Sequence, residues 1–256
     1  MFFTVIGALL GALFGGFTGL FIGGFVGYVA GAALRQSLLG GLRVAQTHLL
    51  DSTFAIMGAL CKADSVVTRD EINAVEQIFR MLKLEGENLQ QAKAAFNRGK
   101  QADFDLDSAV DQFASITRGR GPLLQLFLQL QCMAVAADGR VDPAEHAMLV
   151  RIAHRLGLSE ADVSQLEALL RASTSGPSSA GGQPPQDRLA DAYAALGITP
   201  AASPAEIKRA YRKLISKNHP DKLAARGLPE SMRAVAEERS RELNSAYDLI
   251  KSARNM

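Results

Sequence analysis

His219-Pro220-Asp221, followed directly by Lys222, places an imidazole two residues from a carboxylate across a proline. Such a pair has the ingredients of general acid–base catalysis, yet no third orienting group, glycine-rich phosphate loop or cofactor motif accompanies it. Proline disfavours helical backbone at the residue before it, so the tripeptide is expected to leave the preceding helix as an exposed loop. That helix carries Lys208, Arg209, Arg212, Lys213 and Lys217, with no carboxylate from Ile207 to Lys217. A set of five like charges reads as an electropositive docking face for an acidic protein surface rather than a merely solvated one.

The other chemically able residues do not converge. His48, His146 and His154 have no Ser or Cys nucleophile signature beside them, and no H-E-x-x-H occurs. His146 and His154 share a helix face at best, as solvated or core-edge residues. Cys61 and Cys132 sit singly in apolar helical patterns and are expected as small buried hydrophobes of a protein from a reducing compartment. The acidic positions Asp64, Asp138, Asp142 and Glu145 admit two readings. In one, they serve the local backbone: Thr68 with Glu71 makes a capping box, and Asp142 is an N-cap followed by Pro143 and backed by Glu145. In the other, they meet across an internal repeat and collect a divalent cation through oxygen ligands, at a spacing unlike an EF-hand loop. The residues therefore specify no enzyme, no cofactor and no committed metal site.

The elements that must position these groups are all helical. From about Leu42 to Ala172 the chain reads as amphipathic helices joined by short polar turns. Within it, "ALCKADSVVTRDEINAVEQIFRMLKL" from Ala59 and "MAVAADGRVDPAEHAMLVRIAHRLGL" from Met133 echo each other at an offset of 74 residues. The echo pairs Ala63 with Ala137, Asp64 with Asp138, Val67 with Val141 and Glu71 with Glu145, and predicts two related helical hairpins packed together. "STSGPSSAGGQPPQ", from Ser173, is too polar and too rich in Gly and Pro to fold, and is expected as a flexible tether between independently folding units. Beyond it, Ser203 is a natural N-cap, with Pro204 and Glu206 completing a capping box. Ile207, Ala210, Tyr211 and Leu214 then recur on the face opposite the five basic residues. Charge follows the same division. From Arg188 onward there are 13 Lys and Arg against 8 Asp and Glu, while the preceding residues hold 15 against 18.

The first 34 residues pose a separate problem. Residues 2–34 carry no charged side chain, and Gly7, Gly11, Gly15, Gly19, Gly23, Gly27 and Gly31 recur at every fourth position. About 20 apolar residues cross a bilayer as a helix, and the cost of unpaired backbone in lipid keeps such a helix intact despite its glycines. Ala30-Gly31-Ala32 resembles a signal cleavage site, but no Lys or Arg precedes the apolar run and Arg35 and Arg43 follow it. The expectation is a retained single span with the amino terminus in the periplasm and the bulk of the chain in the cytoplasm. Glycines at this spacing drift about 40° per step around a straight helix, and so form a groove suited to a right-handed helix crossing and self-association. The domain plan is a membrane anchor at 1–34, a helical domain at 35–172, a linker at 173–187 and a last domain at 188–256.

Two resemblances sharpen this plan. The doubled Ala-Asp-x-x-Val-x-x-x-Glu pattern in an all-helical region resembles the TerB-like family associated with tellurite resistance, which implies a compact bundle of about seven helices acting as an interaction or stress-related module. The Tyr193-x-x-Leu196-Gly197 turn, "SPAEIKRAYRKLISK", His219-Pro220-Asp221 and "LNSAYDLI" together resemble a J-domain. That resemblance implies that the tripeptide engages a DnaK-type chaperone and triggers that partner's ATP hydrolysis, with Lys208, Arg209, Arg212, Lys213 and Lys217 docking onto it. "KLAARGLPESM" after the tripeptide is longer than in the common J-domain, and the Gly/Phe-rich and zinc-binding parts of full-length DnaJ are absent from this sequence. Anchor, TerB-like centre and J-domain in this order resemble the DnaJ-like membrane-anchor family. This implies an inner-membrane co-chaperone linked to envelope-stress signalling and capsule synthesis; the glycine spacing adds the expectation of a dimer through the anchor, and no nucleic-acid partner is expected. A membrane stress-sensing scaffold whose TerB-like domain binds a cation or regulatory partner is the alternative.

Overall fold

The computed structural model describes residues 4–6, 8–10, 12–13, 24–29, 47–64, 67–117, 121–136, 141–174, 185–225, 228 and 230–256. Every regular element among them is helical, and the chain divides into two units, residues 1–48 and 49–256.

In the first unit, residues 4–6, 8–10, 12–13 and 24–29 are helical. Of the seven spaced glycines only Gly27 lies among the described residues, where it is buried; Gly7, Gly11, Gly15, Gly19, Gly23 and Gly31 lie outside them. Large apolar side chains such as Leu9, Leu13 and Phe25 are exposed. A methyl group added at Gly24 would sit 3.5 Å from the Ala8 Cβ. One straight helix would separate positions sixteen apart by about 24 Å, so residues 8 and 24 do not lie on one straight rod as expected. No helix among the described residues is long and apolar enough to cross a membrane.

The second unit opens with a bundle of seven helices. They are α1 (47–60), α2 (Arg69–Met81), α3 (Gly86–Gly99), α4 (Leu106–Thr117), α5 (Gly121–Val135), α6 (Pro143–Arg155) and α7 (Glu160–Thr174). The repeat appears as α1–α2 and α5–α6. α5 has no charged side chain and is buried on nearly every face, as an all-round apolar helix must be. Phe127 on α5 meets Phe113 on α4 with ring centroids 4.0 Å apart. α1 and α3 cross backbone to backbone, because a Cβ at Gly58 would collide with the Phe96 carbonyl and one at Gly99 with the Ala55 carbonyl. Cys61 and Cys132 are buried free thiols, pushed up first of all by burial.

The last part comprises α8 (Pro185–Ala195), α9 (Pro204–Asn218), the short α10 (Pro220–Ala225), a single 3-10 turn at Glu230–Met232 and α11 (Arg233–Ala253). Gly197 closes α8 with a positive φ of 67°, and the amides of Gly197 and Ile198 return to the Ala194 and Tyr193 carbonyls at 2.8 and 3.1 Å. That left-handed cap is one glycine adopts without steric cost. α9 and α11 face each other through Tyr211 and Tyr247, stacked at 4.1 Å, with the Tyr211 hydroxyl donating to Asn244 Oδ1 at 2.9 Å.

These two parts are not independent bodies, contrary to the expectation from the tether. Leu223, Met232, Val235 and Ala236 belong to the apolar core of the bundle, and Leu169 of α7 belongs to that of α8, α9 and α11. Gln165 of α7 donates to the Ala195 carbonyl at 2.8 Å, and Arg171 of α7 pairs with Asp191 of α8 at 3.1 Å. The composition of a connecting segment says only that the segment itself cannot fold, not that its neighbours lack complementary faces. Helix also runs into both ends of that segment, through Thr174 and from Pro185; residues 175–184 lie outside the described ones.

Candidate functional site

α9 presents the basic face as expected. Ser203 caps it in a reciprocal box with Glu206, its amide donating to Glu206 Oε2 at 2.7 Å, and Pro204 takes the first turn. Ile207 is fully buried beneath it, while Lys208, Arg209, Arg212, Lys213 and Lys217 are all exposed. The capping hydrogen bonds hold the Glu206 carboxyl below its ordinary range, so the acid at the start of this helix stays ionised and engaged with its own backbone.

The His219-Pro220-Asp221 corner differs from an exposed loop in one respect. The helix breaks only at His219, which is extended at φ −61° and ψ 127°, as a residue before proline should be. Pro220 then opens α10, since its fixed φ suits the first helical position. Asn218, 3% exposed, anchors the turn through Nδ2 to the Leu214 carbonyl at 2.8 Å. The Asp221 amide donates to His219 Nδ1 at 3.2 Å, and the two side chains stand 3.9 Å apart, 49% and 70% exposed. Asp221 Oδ1 also accepts from Arg233 at 3.3 Å, and Lys222 donates to Ser216 Oγ at 2.5 Å. Sequence reasoning missed Arg233, which lies twelve residues from Asp221 and is brought back by the turn before α11. The corner faces outward beside the five exposed cations of α9.

The acidic positions divide between the two readings. Both capping boxes form: the Thr68 amide donates to Glu71 Oε2 at 2.7 Å, and the Asp142 amide to Glu145 Oε2 at 2.9 Å. Asp64 and Asp142 are exposed, Glu145 is buried, and Asp138 lies outside the described residues. The repeat brings Glu145 against Glu71, also buried, with the Cys61 thiol facing Glu71. Burial, and then Glu71 and Asp64, push the Glu145 carboxyl up to about 7 against the pull of its backbone hydrogen bond. Glu71 Oε1 is buried without a hydrogen-bond partner. Among the described residues no three His, Cys, Asp or Glu side chains form a group able to hold a metal ion. His146 is engaged by Glu167 at 2.8 Å, while His48 and His154 are exposed, so the histidines do not act together.

A basic helix ending in an ordered His-Pro-Asp corner, carried on a helical bundle, defines a J-domain co-chaperone. The family comparisons agree: residues 191–255 match the DnaJ domain and residues 51–168 match tellurite resistance protein TerB. The chain is 37% identical over 226 residues to co-chaperone protein DjlA of Shewanella oneidensis, covering 88% of this chain and 86% of that one. It is 43% identical to co-chaperone protein DjlA of Vibrio vulnificus over 224 residues, 80% of this chain and 78% of that one. The corresponding protein of Haemophilus ducreyi is 34% identical over 238 residues, 85% and 83% of the two chains. This chain belongs to the DjlA co-chaperone family. No solved structure matches it.

Proposed function

We propose that this protein is a membrane-anchored co-chaperone that recruits a DnaK-type chaperone and stimulates its ATPase at the cytoplasmic face of the inner membrane. One observation carries the reading: His219 and Asp221 stand exposed at the end of a helix whose five basic residues are all exposed. Lys208, Arg209, Arg212, Lys213 and Lys217 steer and dock the chaperone, and His219-Pro220-Asp221 triggers it. The chain itself regulates hydrolysis and performs none. The test is chaperone ATPase with His219→Gln. Loss of stimulation with unchanged thermal stability supports the assignment, and stimulation equal to that of the parent ends it.

Residues 1–34 serve as the anchor, domain 35–172 as the TerB-like body, 173–187 as the connection and 188–256 as the J-domain. The charge-free run and the exposed Leu9, Leu13 and Phe25 suit lipid rather than water. A single pass puts the amino terminus in the periplasm. The approach of Gly24 to Ala8 supports a fold-back that returns it to the cytoplasmic side. Labelling of Thr4→Cys by an impermeant maleimide on intact spheroplasts separates the two, because only the single pass exposes it. Pairing through Gly7, Gly11, Gly15, Gly19, Gly23, Gly27 and Gly31 predicts that leucine at positions 15, 19 and 23 leaves insertion intact and abolishes crosslinked dimers. A role in envelope stress and capsule control follows from the family resemblance.

A second reading, a stress-sensing scaffold whose TerB-like domain binds a cation or a regulatory partner, draws on the Glu71–Glu145 pair. Calcium or zinc titration of the full chain, with Asp138→Asn as the variant, tests it: tight binding lost in the variant supports the sensor.

A further inference from the structure

The seam between the bundle and the J-domain encloses polar groups that apolar packing does not explain. Gln129 on α5 is fully buried and donates from Nε2 to Glu242 Oε2 on α11 at 2.9 Å. Arg239, one turn earlier on α11 and also buried, donates to the Gln125 carbonyl at 3.3 Å. Gln129 Oε1 and Arg239 Nε are buried there without a partner. A buried polar atom left unpaired is destabilising, so two in one seam mark a junction that is not optimised for permanence.

The groups facing this junction come from four helices. On α11 itself Glu242 faces Glu238, Arg239 and Arg241. From α5 it meets the Gln129 amide and the field of the Cys132 thiol. From α7, Asp162 faces Arg239, and Lys217 of α9 in turn faces Asp162. Glu167 of α7 reaches the same region through Cys132. Arg239 faces Glu242 first and then Cys132 and Asp162, so Asp162 remains as a counter-charge when Glu242 carries a proton.

We propose that Gln129, Arg239 and Glu242 form a proton-linked latch between the two domains, in which the docked state holds a proton on Glu242 and undocking releases it to water. The carboxyl hydrogen is the donor that Gln129 Oε1 lacks, so protonation turns a one-way amide contact into a two-way one. Burial first, and then Glu238, push the docked Glu242 carboxyl up to about 8 against the opposing pull of Arg239 and Arg241, whereas its ordinary value is 4.5. The sign follows from linkage. The docked state binds more protons, so docking is fully stabilised below pH 4.5 and weakens as pH rises towards 8, by up to about tenfold per pH unit for one proton. Because the His-Pro-Asp corner and the basic face stay exposed while docked, the latch governs the reach of the J-domain from the bundle rather than access to its docking face. Its bearing on chaperone recruitment rests on the function proposed above; the latch itself does not.

The experiment uses the full-length protein in detergent micelles, spin-labelled at Asn97→Cys and Lys251→Cys, both exposed, while Cys61 and Cys132 are buried and escape the label. Pulsed electron paramagnetic resonance between about pH 6 and about pH 8.5 should find one narrow distance at the acid end. A broad, longer population should then grow severalfold towards the alkaline end. Glu242→Gln should stay narrow throughout, because a neutral amide needs no proton to remain buried. A pH-invariant wild type overturns the latch even if the variant fails to fold, as does a Glu242→Gln protein that broadens in step with the wild type. His219→Gln reports separately: it should lose chaperone stimulation while keeping the wild-type distance response, so either claim can fail alone.

Discussion

In the bundle, the repeated acidic positions Glu71 and Glu145 are each 5% exposed, whereas in the J-domain the side chains of His219 and Asp221 are 49% and 70% exposed. Both pairs stand at the start of a helix, and both spend one polar atom on a nearby backbone amide. The difference arises from what lies behind each helix start. Two repeat halves press Glu71 and Glu145 together, so their remaining chemistry is spent inside the protein. The corner at His219 rests on the buried Asn218 and Leu223, with Arg233 reaching Asp221 from the side, and leaves both His219 and Asp221 exposed. A motif at a helix start becomes a recognition surface when nothing packs over it.

The contrast can be broken most severely from the bundle side. Gly58→Ala drives a methyl group into the Phe96 carbonyl and should cost about 3 kcal/mol, read as a fall in the chemical-denaturation midpoint. Next in size, Arg212→Glu with Lys213→Glu should raise the chaperone concentration for half-maximal stimulation about tenfold and flatten its salt dependence. These residues are exposed, so stability should move by less than about 0.5 kcal/mol. Ser203→Ala removes the cap from α9 and should lower stability by about 1 kcal/mol, a loss visible by calorimetry. The smallest effect sharpens the comparison at the buried pair. A carboxyl raised from 4.5 to about 7 lends stability that is fully present below pH 4.5 and lost as pH rises towards 7. Glu145→Gln, which can still close the capping box, should flatten that part of the Tm-against-pH curve, whereas an unchanged slope would show that Glu145 titrates as a solvated acid.

What was legible in the sequence was local. Thr68 with Glu71, Asp142 with Pro143 and Glu145, and Ser203 with Pro204 and Glu206 each act over three residues, and each forms the predicted cap. The helical character of the bundle and the basic face of α9 likewise follow from helical period, whereas the number of helices is implied by the TerB-like resemblance. What escaped was set by distant partners. Gly58 and Gly99 are informative only because α1 and α3 happen to cross there, and Gln129 meets Glu242 across 113 positions. In the sequence Glu71 reads as a cap alone, and only the packing of the two repeat halves shows that it also raises the acid range of Glu145. The corner was half legible: proline dictates the break at His219, but that Pro220 restarts a helix depends on Leu223 burying itself against the bundle core.

The hydrogen bond from the Asp221 amide to His219 Nδ1 ties the exposed imidazole ring to the backbone of its own turn. With Nδ1 serving as the acceptor, the ring hydrogen resides on Nε2, the nitrogen farther from the backbone. A ring held by that bond in its neutral form offers one directional donor and has less rotational freedom to lose than an untethered one.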